Sequence, residues 1–101
     1  MWTVVETPLF SKLWPAYWSE AERMEFAAFL AAKPTAGEVV PGSGGCRKIR
    51  WSRIGHGKRG GVRVVYFNRL STGIILLLTI YSKTATETIP SFLLRRLIKD
   101  L

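Results

Sequence analysis

The pattern of apolar and polar residues predicts a first strand, two helices, three further strands and a last helix. Residues 2–6 are rich in β-branched side chains and predict the first strand. Apolar residues then recur at spacings of three and four over residues 9–18, which predicts a helix that Pro15 should split. Ser19 and Glu22 have the spacing of a capping box and should begin the second helix.

The second half of the chain predicts strands that follow one another. Residues 34–45 are rich in glycine and proline and indicate a loop. A glycine-rich hairpin loop is expected over residues 54–61. The strands are predicted over residues 46–53, 62–70 and 74–83. A last helix should begin at Pro90. The buried stripe of that helix is expected to consist of Phe92, Leu93, Leu97 and Leu101.

This order of elements predicts an α+β fold in a single domain that spans residues 1–101. The sheet should be small and antiparallel, made of the first strand and a three-stranded C-terminal meander. Two N-terminal helices and one C-terminal helix should pack on one face, which leaves the other open to a ligand. Alternation along residues 46–53 places Lys48 and Arg50 on one face, with Arg47 and Arg53 on the other.

The positive charge is concentrated in the middle of the chain. The net charge is +8, yet residues 1–38 carry three basic and five acidic side chains. Residues 39–86 carry nine basic side chains and no acidic one. This distribution is typical of a surface that binds phosphates. The alternative is a solvated basic surface, although such surfaces usually mix the two signs.

Several classes of protein are disfavoured by the composition. A lone cysteine, Cys46, permits neither an intramolecular disulfide nor a cysteine-rich zinc site, and it fits a reducing cytoplasm. We expect no signal peptide, and the apolar run from Gly73 to Tyr81 is far shorter than the roughly 20 residues that span a membrane. The basic segment lacks carboxylates for a metal ion and lacks a phosphate-binding loop that leads into a helix. We therefore expect no metal and no cofactor.

The remaining polar side chains can cleave RNA without a metal. Attack of a 2′-hydroxyl on the adjacent phosphorus builds negative charge on the phosphoryl oxygens, which Arg and Lys stabilise. A lysine among other cations has a lowered tendency to hold its proton and can act as a base. A second Lys, a Tyr or His56 could act as the acid. A protein that only binds RNA would need the same charge.

Three segments resemble the RelE/HigB family of type II toxins. They are "GSGGCRKIRW", "GHGKRGGVRVVYF" and "LLLTIYSK", in that order, and the resemblance runs from residue 38 to residue 83. It implies a RelE-like microbial RNase fold and an endoribonuclease that cuts mRNA, usually on the translating ribosome. It also implies a cognate antitoxin, often with a helix-turn-helix domain. Contact with DNA would then occur only through the antitoxin, and no membrane partner is expected.

The resemblance also implies roles for single residues. Lys58 matches the family's loop lysine and would act as base or phosphate contact. Arg63 would stabilise charge in the transition state. Tyr81 would stack on a base or orient the phosphate, and Lys83 is a second candidate for proton transfer.

A wider set of side chains is predicted to bind RNA: Arg47, Lys48, Arg50, Arg53, His56 and Arg59. Arg47 and Arg53 are equally compatible with ordinary surface charge. Trp51 and Tyr66 are expected in the core rather than on a stacking surface. Two other functions remain open at this point: a basic module that binds RNA or the ribosome without cutting, and a degenerate toxin retained to bind its antitoxin.

Overall fold

The computed structural model describes residues 2–51, 61–82 and 89–101. The elements in chain order are β1 (Thr3–Glu6), α1 (Pro8–Leu13), a 3₁₀ turn (Trp14–Ala16), α2 (Glu20–Ala32), β2 (Glu38–Val39), β3 (Arg47–Trp51), β4 (Val62–Arg69), β5 (Ile74–Ser82) and α3 (Ser91–Lys99). Most of the predicted hairpin loop, residues 54–60, lies outside the described residues. No helix within the described ranges is long and apolar enough to cross a membrane.

The sheet has five strands in the order β1-β5-β4-β3-β2, which confirms the α+β class and the meander. Two details differ from the expectation. The sheet is mixed rather than antiparallel, because β1 runs parallel to β5. The segment predicted as a loop over residues 34–45 contains the short edge strand β2, which pairs antiparallel with β3. The chain leaves β1, passes through α1 and α2 to the far edge, and returns through β3 and β4 to β5.

Helices α1 and α2 cover one face of the sheet, here called the first face. Its buried cluster contains Phe10, Trp18, Phe26, Leu30, Val62, Val64, Tyr66, Ile75, Leu77 and Ile80. Aromatic rings link the helices to the sheet: the centroid of Phe26 lies 5.0 Å from that of Trp18 and 5.2 Å from that of Trp51. Such edge and tilted contacts add to the free energy gained by burying the rings. Trp51 and Tyr66 are core residues, as predicted.

Helix α3 covers part of the opposite, second face, so the expectation of helices on one face was wrong. Leu94 is only 1% exposed and packs in a cluster with Cys46, Val65, Leu76, Leu78 and Tyr81. The set of α3 residues that are buried also differs from the prediction. Three of the predicted residues, Phe92, Leu93 and Leu101, are 56%, 39% and 45% exposed. Leu97 packs against the cluster as predicted, together with Ile98. Nine residues of a helix fix the direction of its apolar face poorly when leucines occur on several sides.

Strand β5 contains a β-bulge that changes which residues face which side. Val65 pairs with Thr79, but the next residue of β4, Tyr66, pairs with Leu77. Leu78 is therefore an extra residue, and the alternation shifts by one position beyond it. As a result Ile80 joins the first face and Tyr81 joins the second. An uninterrupted strand would put both Leu77 and Tyr81 on the first face.

The predicted breaks between the N-terminal elements are confirmed. The 3₁₀ turn contains Pro15 and separates the two helices. Ser19 and Glu22 form the capping box, because each side chain accepts a hydrogen bond from the other residue's backbone N–H. Thr7 caps α1 and also ties it to the sheet, since its hydroxyl donates to the Leu77 carbonyl oxygen at 2.8 Å.

The hydroxyl of Tyr66 anchors the segment that follows α2. It accepts a hydrogen bond from the Gly37 N–H at 2.8 Å and donates to the Pro34 carbonyl oxygen at 2.9 Å. A Cβ atom on residue 37 would lie 2.8 Å from the Tyr66 hydroxyl oxygen, so only glycine fits there. Tyr66 thereby holds the chain that leads into β2 against the first face.

Substitution of Tyr66 by Phe should lower the free energy of unfolding by about 1–2 kcal/mol, because a buried N–H loses its acceptor. Urea unfolding followed by circular dichroism measures this change. Tyr17→Phe is the control, since the Tyr17 hydroxyl has no hydrogen bond to the described residues, and it should have little effect. Equal losses in the two variants would contradict the anchoring role.

The stability of the wild type and that of Tyr66→Phe should change differently at alkaline pH. Burial raises the pKa of Tyr66, although the Gly37 N–H and the charge of Arg47 partly oppose the shift. A pKa that is higher in the folded than in the unfolded chain stabilises the fold below the unfolded value and loses that effect as pH rises through the folded value. The stability gap between wild type and Tyr66→Phe should therefore narrow above about pH 10. Urea titrations from pH 8 to pH 11 test this, and a constant gap would refute it.

Candidate nucleic-acid interface

Three cations lie together at the end of the second face that α3 leaves uncovered. Arg50 on β3 pairs across the strands with Arg63 on β4, and Arg63 pairs in turn with Tyr81 on β5. Lys48 is two residues before Arg50 and so shares its face. The prediction that Lys48 and Arg50 lie on the same face is confirmed. The second face is therefore divided into an apolar half under α3 and a cationic half.

The cationic half forms an open cavity of about 310 Å³, here called the cationic pocket. The residues that line it are Ala36, Glu38, Lys48, Ile49, Arg50 and Arg63. A volume of this size suits a small polar group such as a phosphate with part of a nucleoside. The three cations come from adjacent strands, so the register of the sheet fixes their relative positions.

Glu38 is the one carboxylate among these lining residues, and it was not predicted as a site residue from the sequence. It lies on β2 directly across from Lys48. Residues that face each other across two strands project from the same side of the sheet, so Glu38 belongs to the second face. The signal available in the sequence was its position just before the acid-free segment, but β2 itself was not predicted.

Tyr81 lies beneath the cationic pocket rather than on its surface. Its side chain is 6% exposed and packs in the cluster under α3. Burial raises the pKa of Tyr81, and the positive charge of Arg63 opposes part of that shift, so the phenol stays protonated at neutral pH. A buried ring offers no face to a base, since stacking requires exposure. Of the two roles implied for Tyr81, only orientation through its neighbour Arg63 fits this position.

Arg47 lies on the first face and has a structural task. Its guanidinium donates to the Gly37 carbonyl oxygen at 2.7 Å and to the Thr35 carbonyl oxygen at 3.4 Å. These bonds hold the segment that Tyr66 also anchors. Arg47 is thus separated by the sheet from the cationic pocket. Its contacts support a structural role, which is neither the RNA binding nor the ordinary surface charge that the sequence suggested.

The other predicted site residues lie outside the described residues: Arg53, His56, Lys58, Arg59 and Lys83. The strands that lead to them end at the cationic pocket. Trp51, the last residue of β3, pairs with Val62, and Ser82, the last residue of β5, also pairs with Val62. Trp51 and Ser82, the last described residues of β3 and β5, thus directly follow Arg50 and Tyr81.

The glycine-rich motif before β3 shapes the backbone. Gly42, Gly44 and Gly45 all have positive φ angles, which favour glycine. The buried hydroxyl of Ser43 donates to the Val40 carbonyl oxygen at 2.6 Å and accepts from the Cys46 N–H at 3.0 Å. The Arg95 guanidinium on α3 donates to the Gly42 carbonyl oxygen at 2.6 Å. This turn thus docks α3 and sets the direction of β3.

No family model matches the sequence. Among solved structures, the fold is similar to that of a double arginine-to-alanine mutant of the Escherichia coli toxin RelE in its free state. The TM-score is 0.66, the sequence identity is 15%, and the match covers 99% of this chain and 97% of that chain. The chain therefore has the fold of RelE over nearly its whole length.

Replacing Arg63 by Ala should leave the free energy of unfolding unchanged or raise it by up to about 1 kcal/mol at low salt, because like charges directly across two strands repel. Added salt should shrink any gain. Urea unfolding at two salt concentrations measures both effects.

Arg23→Ala is the matched control for this measurement. Arg23 forms ion pairs with Glu6 and Glu20 and lies over the Trp14 ring at 5.0 Å, so its loss should destabilise by about 1 kcal/mol. A comparable destabilisation by Arg63→Ala would show that Arg63 supports the fold.

Proposed function

We propose that this protein is the toxin of a type II toxin–antitoxin system, and that it acts in the cytoplasm as a metal-independent endoribonuclease on mRNA in the translating ribosome. One observation carries the proposal. In a chain with the RelE fold, Lys48, Arg50 and Arg63 line one pocket at the end of the sheet.

The pocket places two like charges directly across adjacent strands, which favours a role in binding an anion. Arg50 and Arg63 are like charges across adjacent strands, an arrangement that costs stability. A bound phosphate would attract both guanidinium groups and so offset the repulsion between them. Like charges gathered at one cavity are typical of functional sites.

The proposed reaction is an internal transesterification. The 2′-hydroxyl oxygen attacks the adjacent phosphorus while a base takes its proton. The bond between phosphorus and the 5′-oxygen breaks, and an acid gives that oxygen a proton. The products are a 2′,3′-cyclic phosphate and a 5′-hydroxyl, so the reaction consumes no other reactant. Negative charge on the phosphoryl oxygens peaks in the transition state, where fixed cations stabilise it most.

The described residues supply the electrostatic part of this mechanism. Arg63 and Arg50 would hold the scissile phosphate, and Lys48 would hold a neighbouring one. The phenol of Tyr81, buried beside Arg63 in the register, would limit the positions that the guanidinium adopts. Proton transfer is assigned to Lys58 and Lys83, with His56 as an alternative acid, on the family resemblance alone.

Arg63→Ala should abolish mRNA cleavage in a reconstituted translation reaction, because removing one transition-state contact costs on the order of a hundredfold or more in rate. Primer extension maps the new 5′ ends. Wild type should produce ends at ribosomal A-site positions, and omission of the ribosomes should remove them.

Arg96→Ala provides the control for this loss of charge, since Arg96 is exposed on α3, away from the cationic pocket. It should cleave as the wild type does.

Blocked translation with intact mRNA would contradict the nuclease and favour a basic module that binds RNA or the ribosome. The absence of any effect on translation or on growth would favour a degenerate toxin that only binds an antitoxin.

A further inference from the structure

We infer that Glu38 reads the base next to the cleaved phosphate and gives the cationic pocket a preference for guanine. The inference rests on the proposed function, since it assumes that the ligand of the pocket is single-stranded RNA. It goes further in assigning a sequence preference, and a residue that determines it.

Glu38 is placed where a base rather than a phosphate would meet it. It lies on the edge strand β2, and its carboxylate is exposed at the rim of the cationic pocket. Adjacent strands are about 4.8 Å apart, and Glu38 pairs with Lys48 whereas Arg63 pairs with Arg50, two residues further along β3, so the backbones of Glu38 and Arg63 are separated by about 12 Å. The two long side chains shorten the span between their charged groups. A single nucleotide can bridge that span, with its phosphate at Arg63 and the edge of its base at Glu38.

The Glu38 carboxylate is unexpected in a pocket that binds anions. It repels phosphate and weakens the field of Lys48, its partner across the strands. Within the described residues no ion pair joins Glu38 to Lys48, so the carboxylate oxygens are not committed to holding that lysine in place. As far as the described residues go, both oxygens are therefore available as acceptors for a ligand that donates hydrogen bonds.

Guanine is the base whose edge suits an ionised carboxylate best. Its N1–H and its N2 amino group are two adjacent donors, which one carboxylate can accept together. Uracil offers a single N–H between two carbonyl oxygens, which a carboxylate repels. Adenine and cytosine place an acceptor nitrogen beside their amino group. Unstacked bases in single strands are commonly read on this edge.

The test measures binding, so it needs no cleavage. Four 2′-O-methyl RNA hexamers carry five uridines and one variable base, which is guanine, adenine, cytosine or uracil. Fluorescence anisotropy at fixed salt gives the dissociation constant of each. Wild type should bind the guanine hexamer about tenfold more tightly than the all-uridine hexamer, the size expected for a good paired contact to a base.

Glu38→Gln should remove most of this preference, because the amide keeps one acceptor and replaces the other with a donor. It should also tighten binding of the all-uridine hexamer, since a repelling charge is lost. Glu25→Gln makes the same change of charge at an exposed position of α2 and should keep the preference.

Two outcomes would overturn the inference: a wild-type protein that binds all four hexamers equally, or a guanine preference that survives in Glu38→Gln. Failure of the nuclease proposal is separate and recognisable. If the protein cleaves no mRNA but prefers guanine through Glu38, the role of Glu38 in base recognition stands and the nuclease proposal fails.

Discussion

Strand β4 has to satisfy two hydrophobic clusters at once, and the rest of the structure depends on that constraint. Val62, Val64 and Tyr66 point into the first face, while Val65 joins the second cluster under α3. Slipping the strand by one residue would exchange the two sets, which would bury Arg63 and expose the valines. The register that buries the valines is therefore also the register that presents Arg63 beside Arg50.

The two halves of the second face have different roles. Helix α3 and the turn before β3 cover one half and bury Leu94 against Leu76 and Leu78. The other half brings Lys48, Arg50 and Arg63 together in one pocket. Burial of the apolar half contributes free energy of folding, which can offset repulsion between Arg50 and Arg63 at the other end of the sheet.

Much of the fold was predictable because it follows from local signals. Pro15, the capping box at Ser19 and the alternation that puts Lys48 beside Arg50 are all properties of neighbouring residues. The errors concern features set by distant parts of the chain. Whether β1 runs parallel to β5, and which face receives α3, depend on how the elements meet in space.

The candidate site shows the same limit. Alternation and the resemblance to known toxins identified Lys48, Arg50 and Arg63, which meet in one pocket. Glu38 was missed because a two-residue strand such as β2 has no periodicity of its own and exists only through pairing with β3. The depth of Tyr81 was missed because α3 was expected on the other face, whereas it packs on the second face in the cluster that buries Tyr81. The extra residue in β5 was not predicted either, and it shifts the alternation by one position. Comparisons of related sequences inherit that shift: an alignment that omits or moves the extra residue at Leu78 will assign every later position of the strand to the wrong side. A substitution at Ile80 would then be interpreted as if it faced the second face, and one at Tyr81 as if it faced the first. Relatives are therefore best aligned across this strand by structure and not by sequence.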